Sequence, residues 1–126
     1  MDMLSDSENR TRKAEKWIRE VEKEGGKASS LIFSEVIFHV SRRNPQKVDW
    51  AITLIKSIRN LEIVDADESV SILAGRLRHK YYKKTERELS YLDCVHLATA
   101  ITSGCNKFVT GDKDFSGIEE IEVEVY

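Results

Sequence analysis

The sequence predicts a single α/β domain, spanning residues 1–126, with a mainly parallel sheet flanked by helices. Segments with helical spacing of apolar residues alternate along the chain with short β-type runs. Strands that are separated by helices pair in parallel, because a crossover helix returns the chain to the same edge of the sheet. A length of 126 residues is enough for one compact domain with its own core and too short for two.

The first part of the chain is expected to form two helices around a very short strand. Asp6 and Ser7 can cap the first helix, which ends at Gly25–Gly26. Residues 27–30 follow as the strand, and residues 31–43 as the second helix. The second helix is apolar on nearly every side, which predicts burial on more than one face. The apolar stripe of the first helix, spaced by three and four residues, consists of Ala14, Trp17, Ile18 and Val21.

The middle of the chain is expected to add a third and a fourth helix. Pro45 suits the first turn of the third helix, which runs to about residue 59. Residues 61–64 form a β-type run, after which Asp65 or Asp67 can cap the fourth helix. One face of that helix is apolar and consists of Val70, Leu73, Ala74 and Leu77.

The last part of the chain is expected to contain a fifth helix and two strands. Ser90 opens the helix, which runs to about residue 103, and Gly104 closes it. Residues 107–110 then form a strand, and residues 121–126 alternate as a final one.

The composition favours a cytoplasmic protein that does not enter the membrane. The chain has two cysteines, Cys94 and Cys105, and no CxxC pair, which fits a reducing compartment. No apolar run reaches the length of about 18 residues that a membrane span needs, and the polar residues 1–10 do not form a signal peptide. The net charge of −2 provides no overall positive field for nucleic acid. It does not exclude an RNA substrate if the active site binds cations.

Glu35 is the first carboxylate that needs an explanation. It lies inside the most apolar helix of the chain, where burying a carboxylate without a partner is costly. It is therefore expected to face a cation or a wet cleft. The structural alternative, to which about even odds are given, is that Glu35 reaches solvent or pairs with an arginine such as Arg42 or Arg43.

Asp93 is the second carboxylate that needs an explanation. It shares a helical stripe with apolar residues, where a charge is unusual. The spacing Ser90-x-x-Asp93 matches a capping box, in which the carboxylate binds the backbone N–H of Ser90. From the residues alone the cap is the favoured role, and a site role can coexist with it because a helix N-terminus tolerates negative charge.

A third acidic element follows the apolar strand Phe108–Val109. Residues 110–115 read TGDKDF, so Asp112 and Asp114 come directly after a strand. In α/β sheets, ligands bind beyond the carboxyl ends of the strands, and carboxylate oxygens suit Mg²⁺ or Mn²⁺. The structural alternative is an ordinary Gly–Asp turn.

The histidines and the basic run are weaker signals. His79 and His96 lack the clustering of a zinc site, and satisfied or solvent-facing histidines are favoured by roughly four to one. The basic residues between Arg76 and Arg87 are interpreted as mostly a solvated helix face that can touch phosphates.

Three segments together resemble the PIN-domain nucleases, especially the VapC-type toxins of toxin–antitoxin pairs. They are residues 34–36 (SEV), 89–100 (LSYLDCVHLATA) and 108–115 (FVTGDKDF). The likeness runs from about residue 4 to the end of the chain, and the last two segments are the specific ones.

The resemblance implies a PIN-like three-layer fold, with a parallel sheet between helices and an acidic pocket at its carboxyl edge. Glu35, Asp93 and Asp112 match the catalytic and metal-binding positions of the family, and Asp114 matches a less constant one. Thr110 and Lys113 are expected near the scissile phosphate. Family members use Mg²⁺ or Mn²⁺ to hydrolyse RNA, and the resemblance implies a homodimer and an antitoxin partner. The exposed sheet edge expected here also favours dimerisation.

One departure from the family pattern is expected to impair catalysis. Family members open with a central strand that ends in an Asp-Thr-Asn type motif, whereas this sequence starts at what resembles the following helix. Asp2 has no apolar strand before it to replace that aspartate. A start assigned too far downstream, a truncation, and a rearrangement in which another segment or subunit fills the gap all fit.

Two other functions were weighed against the ribonuclease. The first is a catalytically inactive PIN-like module that binds an antitoxin or RNA. The second is a phosphate-handling receiver-type protein, which needs a phosphoacceptor aspartate on a central strand and a later strand-end lysine. The sequence has no good match to the receiver pattern.

Overall fold

The computed structural model describes residues 6–84 and 86–126 and contains helices alternating with short strands. In chain order the elements are α1 (Asp6–Glu24), β1 (Gly26–Ser29), α2 (Ile32–Arg43), α3 (Val48–Ser57), β2 (Leu61–Val64), α4 (Glu68–Tyr81), α5 (Tyr91–Thr102), β3 (Lys107–Thr110) and β4 (Glu122–Val125). The predicted α/β class is confirmed. None of the helices in these residues is long and apolar enough to cross a bilayer.

The strands form two parallel ladders. In the first, β1 pairs with β2 so that Gly26 lies opposite Leu61. In the second, β3 pairs with β4 so that Lys107 lies opposite Glu122. Parallel pairing is therefore as predicted, but within residues 6–84 and 86–126 no strand joins the two ladders into one sheet. Helix α5 packs against a strand of each ladder, β1 and β3, and so links them.

The strand directions bring three chain segments to one edge of the fold. Lys27 at the start of β1 donates its ammonium to the carbonyl of Ser103, just beyond the end of α5, at 3.5 Å. A four-residue connection, residues 103–106, joins α5 to β3. Strand β3 therefore starts near the carboxyl end of α5. Both strands thus run opposite to α5. Their carboxyl ends lie near its amino end.

The core lies mainly between α4 and α5. The predicted stripe of α4 is buried at Val70, Ala74 and Leu77. Leu97 at the centre of α5 has no exposed surface. The C-terminal segment completes this core with Phe115, Ile118 and Ile121.

The predicted burial of α2 is wrong. No residue of α2 is buried, and Phe38 is 56% exposed. The helix packs mainly against α3 and the 3₁₀ turn before α3, and these neighbours leave every residue of α2 at least partly exposed. An all-round apolar pattern indicates that a helix can be buried on several faces, but it does not supply the neighbouring elements that would cover them.

Most predicted helix ends are confirmed. Asp67 caps α4 by accepting a hydrogen bond from the N–H of Val70 at 3.0 Å. The third predicted helix instead begins as a short 3₁₀ turn, Pro45–Lys47, before α3 starts. Helix α1 begins at Asp6, but the predicted capping side chains of Asp6 and Ser7, and Asp2, lie outside what the structure describes.

A buried tyrosine fixes the C-terminal segment to α4. The hydroxyl of Tyr81 donates to Oε1 of Glu120 at 2.5 Å and accepts the N–H of Glu119 at 3.0 Å. Lys80 bridges both glutamates. Burial acts to raise the pKa of Glu120, but the hydrogen bonds from Tyr81 and Lys80 outweigh it and hold that pKa below its usual value. The ionised carboxylate therefore stabilises the fold above its ordinary pKa, and this contribution is lost as the pH falls through the lowered pKa.

Replacing Tyr81 with phenylalanine is expected to lower the free energy of unfolding by about 1–3 kcal/mol at neutral pH, because the partly buried N–H of Glu119 and the carboxylate of Glu120 both lose a hydrogen bond. The deficit should shrink in acid, where Glu120 becomes protonated in both proteins. Urea denaturation at several pH values measures it. Tyr126→Phe is the matched control, since its hydroxyl makes no hydrogen bond within residues 6–84 and 86–126. Equal losses in the two variants would contradict the assignment.

Candidate active site

Glu35 lies in the first turn of α2, directly after β1. Its Oε2 is 3.2 Å from Nε2 of His96 on α5, and both side chains are half-buried. The contact answers the question that the sequence left open, because Glu35 pairs with a histidine and not with Arg42 or Arg43. The guanidinium of Arg42 lies instead over the ring of Phe38. His96 is therefore a satisfied histidine, as predicted.

Asp93 forms the predicted capping box at the start of α5. Its Oδ2 accepts the N–H of Ser90 at 2.9 Å, and its own N–H is bound by the hydroxyl of Ser90 at 3.0 Å. Asp93 and His96 are three residues apart and so lie on one side of α5. Glu35, which contacts His96, therefore lies on the same side of α5 as Asp93.

The loop after β3 is held by short polar contacts. The hydroxyl of Thr110 accepts the N–H of Asp112 at 3.1 Å, and Oδ1 of Asp112 accepts the N–H of Asp114 at 2.9 Å. Phe115 is buried in the core and anchors the far end of the loop. The turn is therefore well ordered, while Asp112 and Lys113 stay exposed and Asp114 is half-buried.

The fold brings these carboxylates to the edge where β1 and β3 end and α5 begins. We call Glu35, Asp93, Asp112 and Asp114 the acidic edge. They do not close into one cluster, since the described residues contain no group of three or more His, Cys, Asp or Glu side chains that could hold a metal ion. Each of the three predicted catalytic carboxylates accepts a hydrogen bond from a protein group. Glu35 is bonded to His96, Asp93 to the N–H of Ser90, and Asp112 to the N–H of Asp114.

The donor chemistry of the acidic edge still fits a hard cation. Glu35, Asp93 and Asp112 each use one carboxylate oxygen in these hydrogen bonds, and the other oxygen takes part in none among the described residues. Carboxylate oxygens are the ligands that Mg²⁺ and Mn²⁺ prefer. These oxygens are therefore open to a cation, although the described residues do not bring three such side chains together as one metal-binding group.

Cys94 follows Asp93 on α5, and its side chain is buried. Burial, and to a lesser degree the charge of Asp93, raise the pKa of its thiol to about 11, while the charge of Arg78 acts in the opposite direction. The thiol is therefore protonated at neutral pH and unsuited to act as a nucleophile. Cys94 and Cys105 are both free cysteines.

Sequence reasoning missed two contacts at this edge. One is the pairing of Glu35 with His96. The other is the position of Arg78, whose guanidinium lies between the rings of Tyr82 and Tyr91. For the first, no periodicity in the sequence connects Glu35 with His96, 61 residues later. For the second, no pattern in the sequence indicated a partner.

The fold and the acidic edge define a parallel α/β domain with carboxylates gathered beyond its strand ends. The chain belongs to the PIN domain family, whose sequence model matches residues 1–121. PIN domains in general depend on divalent metal ions. No curated protein sequence was found to match the chain.

Solved structures with a similar fold include toxin–antitoxin complexes. VapBC from Salmonella typhimurium bound to DNA has a TM-score of 0.68 at 21% identity, covering 93% of this chain and 86% of that one. VapBC2 from Rickettsia felis bound to a promoter fragment has a TM-score of 0.65 at 22% identity, covering 97% of this chain and 86% of that one. A toxin–antitoxin complex from Klebsiella pneumoniae has a TM-score of 0.52 at 22% identity, covering 74% of this chain and 68% of that one. These likenesses establish the fold.

Proposed function

We propose that the protein is a metal-dependent endoribonuclease of the PIN/VapC toxin type, which hydrolyses RNA phosphodiester bonds. The observation that carries the proposal is that Glu35, Asp93 and Asp112 come from three separate segments of a PIN-family chain and share one edge of the fold. Carboxylates that share one edge repel one another, and a divalent ion bound between them relieves that repulsion.

Each residue has a defined part in this proposal. Glu35, Asp93 and Asp112 would hold a divalent ion, which would supply an activated water and positive charge for the phosphate. Asp93 is oriented by Ser90, and Glu35 by His96, so both carboxylates are held before a ligand arrives. Lys113 is exposed beside Asp112 and supplies a cation for the scissile phosphate, while Thr110 fixes the backbone of the loop.

The test is cleavage of a labelled single-stranded RNA during titration with Mg²⁺ or Mn²⁺. We expect internal cleavage that rises with the ion and falls by at least about 10-fold when EDTA is added, since the ion provides the nucleophile. A contaminating metal-independent ribonuclease would continue to cut in EDTA. No cleavage at any ion concentration, or cleavage indifferent to EDTA, contradicts the proposal.

The second candidate function is binding of an antitoxin without catalysis. It is favoured by large apolar side chains exposed on α2 and α3, which are Phe38, Trp50 and Leu54. Such a patch suits an apolar segment of a partner protein. The related structures named above are toxin–antitoxin complexes. Binding of an antitoxin without metal-dependent cleavage identifies this second function. We propose a homodimer for both candidate functions.

A further inference from the structure

Arg78 joins the end of α4 to the start of α5. Its Nε donates to the carbonyl of Leu89 at 3.0 Å. Its Cζ lies 4.3 Å from the ring centroid of Tyr82 and 4.2 Å from that of Tyr91. The guanidinium is thus held by a hydrogen bond and by two aromatic rings, which orients all three side chains.

Tyr91 is far more exposed than an aromatic ring that only supports the fold. It remains 68% exposed although the guanidinium lies over its ring. A flat cation on one side leaves the rest of the ring open to solvent, and a fixed, exposed ring is a surface on which a nucleobase can stack. Tyr91 is the first residue of α5 and so lies at the same end of that helix as Asp93, although residues two apart lie on different faces of a helix.

Exposed basic residues flank Arg78 and Tyr82 along the chain, together with the exposed carboxylates Glu86 and Glu88. Arg76, Lys83 and Lys84 are exposed and take part in none of the ion pairs formed within residues 6–84 and 86–126. Cations next to an exposed aromatic ring are the combination that binds single-stranded nucleic acid. The cations contact phosphates, and the ring stacks on a base.

We propose that Tyr91, supported by Arg78 and Tyr82, stacks on an unpaired nucleobase of single-stranded RNA beside the acidic edge. The proposal rests on the ribonuclease function and adds a base-binding subsite to it. Stacking on a ring selects for an unpaired base and not for a particular sequence, since every base presents a flat face. The subsite would fix the register of the RNA on the protein.

The test is binding of a fluorescently labelled RNA oligonucleotide in EDTA, where metal-dependent cleavage does not interfere. Tyr91→Ala is expected to weaken binding by about 10-fold, and Tyr91→Phe to bind as the parent does, because the ring face remains. With an oligonucleotide of equal length that lacks bases, the Tyr91→Ala variant and the parent should bind equally. The slope of log affinity against log salt should stay unchanged in Tyr91→Ala, since no phosphate contact is lost.

Trp50→Ala provides the matched control. Trp50 is 62% exposed and also lies beside a cation, Lys47, but on α3. We expect it to leave RNA binding unchanged. Equal weakening in Trp50→Ala and Tyr91→Ala, or equal weakening of the normal and the base-free oligonucleotide, overturns the subsite. Metal-dependent cleavage with unchanged binding by Tyr91→Ala refutes the subsite alone. Base-dependent binding without metal-dependent cleavage refutes the nuclease alone.

Discussion

Replacing Asp93 with asparagine is expected to reduce metal-dependent RNA cleavage by about 100-fold or more, because a neutral amide replaces a charged ligand at the phosphate site. The same change should have little effect on stability, since the amide oxygen of asparagine can still accept the N–H of Ser90 in place of Oδ2 of Asp93. Initial rates at saturating Mn²⁺ and urea denaturation measure the two effects.

Ser90→Ala is the matched control for the cap. It removes the hydroxyl that binds the N–H of Asp93 and leaves the carboxylate in place. We expect it to lower the free energy of unfolding by about 1 kcal/mol and to retain most of the cleavage rate. The two variants should therefore show opposite patterns of activity and stability. If cleavage instead follows stability in both, Asp93 acts only as a cap.

Replacing Leu97 with alanine is expected to lower the free energy of unfolding by about 2–5 kcal/mol, because the substitution leaves a cavity between α4 and α5. Leu97 is 0% exposed in the α4–α5 core. The midpoint and slope of urea denaturation measure the loss.

Leu54→Ala makes the same chemical change on α3, where Leu54 is 48% exposed. It should cost less than about 1 kcal/mol, because little apolar surface is buried there. Similar losses at the two positions would mean that the core does not lie where the burial of Leu97 indicates.

Local signals in the sequence predicted the secondary structure well where the cause was itself local. The bounds of β2 and β3 agree with the predicted ones, since each is a short apolar run between turn residues. The capping box at Ser90 was also readable, because both partners lie within one turn of helix. The burial of α2 was not, since it depends on what packs around the helix.

The residues of the candidate site stay a prediction from the resemblance, and their contacts could not be predicted from the sequence. The resemblance named Glu35, Asp93 and Asp112, and strand direction explains why they share an edge. The partner of Glu35 lies 61 residues away at His96, and no periodicity connects two residues so far apart. Arg78 between two tyrosine rings is likewise a product of packing between helix ends. Such contacts become visible only with the tertiary structure.

The buried thiol of Cys94 gives the fold an internal reporter of its own opening. Its pKa of about 11 reduces the reactive thiolate by about 100-fold relative to an ordinary thiol, and the helix that carries it links the two ladders. We therefore expect an alkylating reagent to reach Cys94 only when α5 detaches from the two ladders. Cys105, half-buried beyond the end of α5, is labelled after local fraying alone, so the two labelling rates separate global from local unfolding.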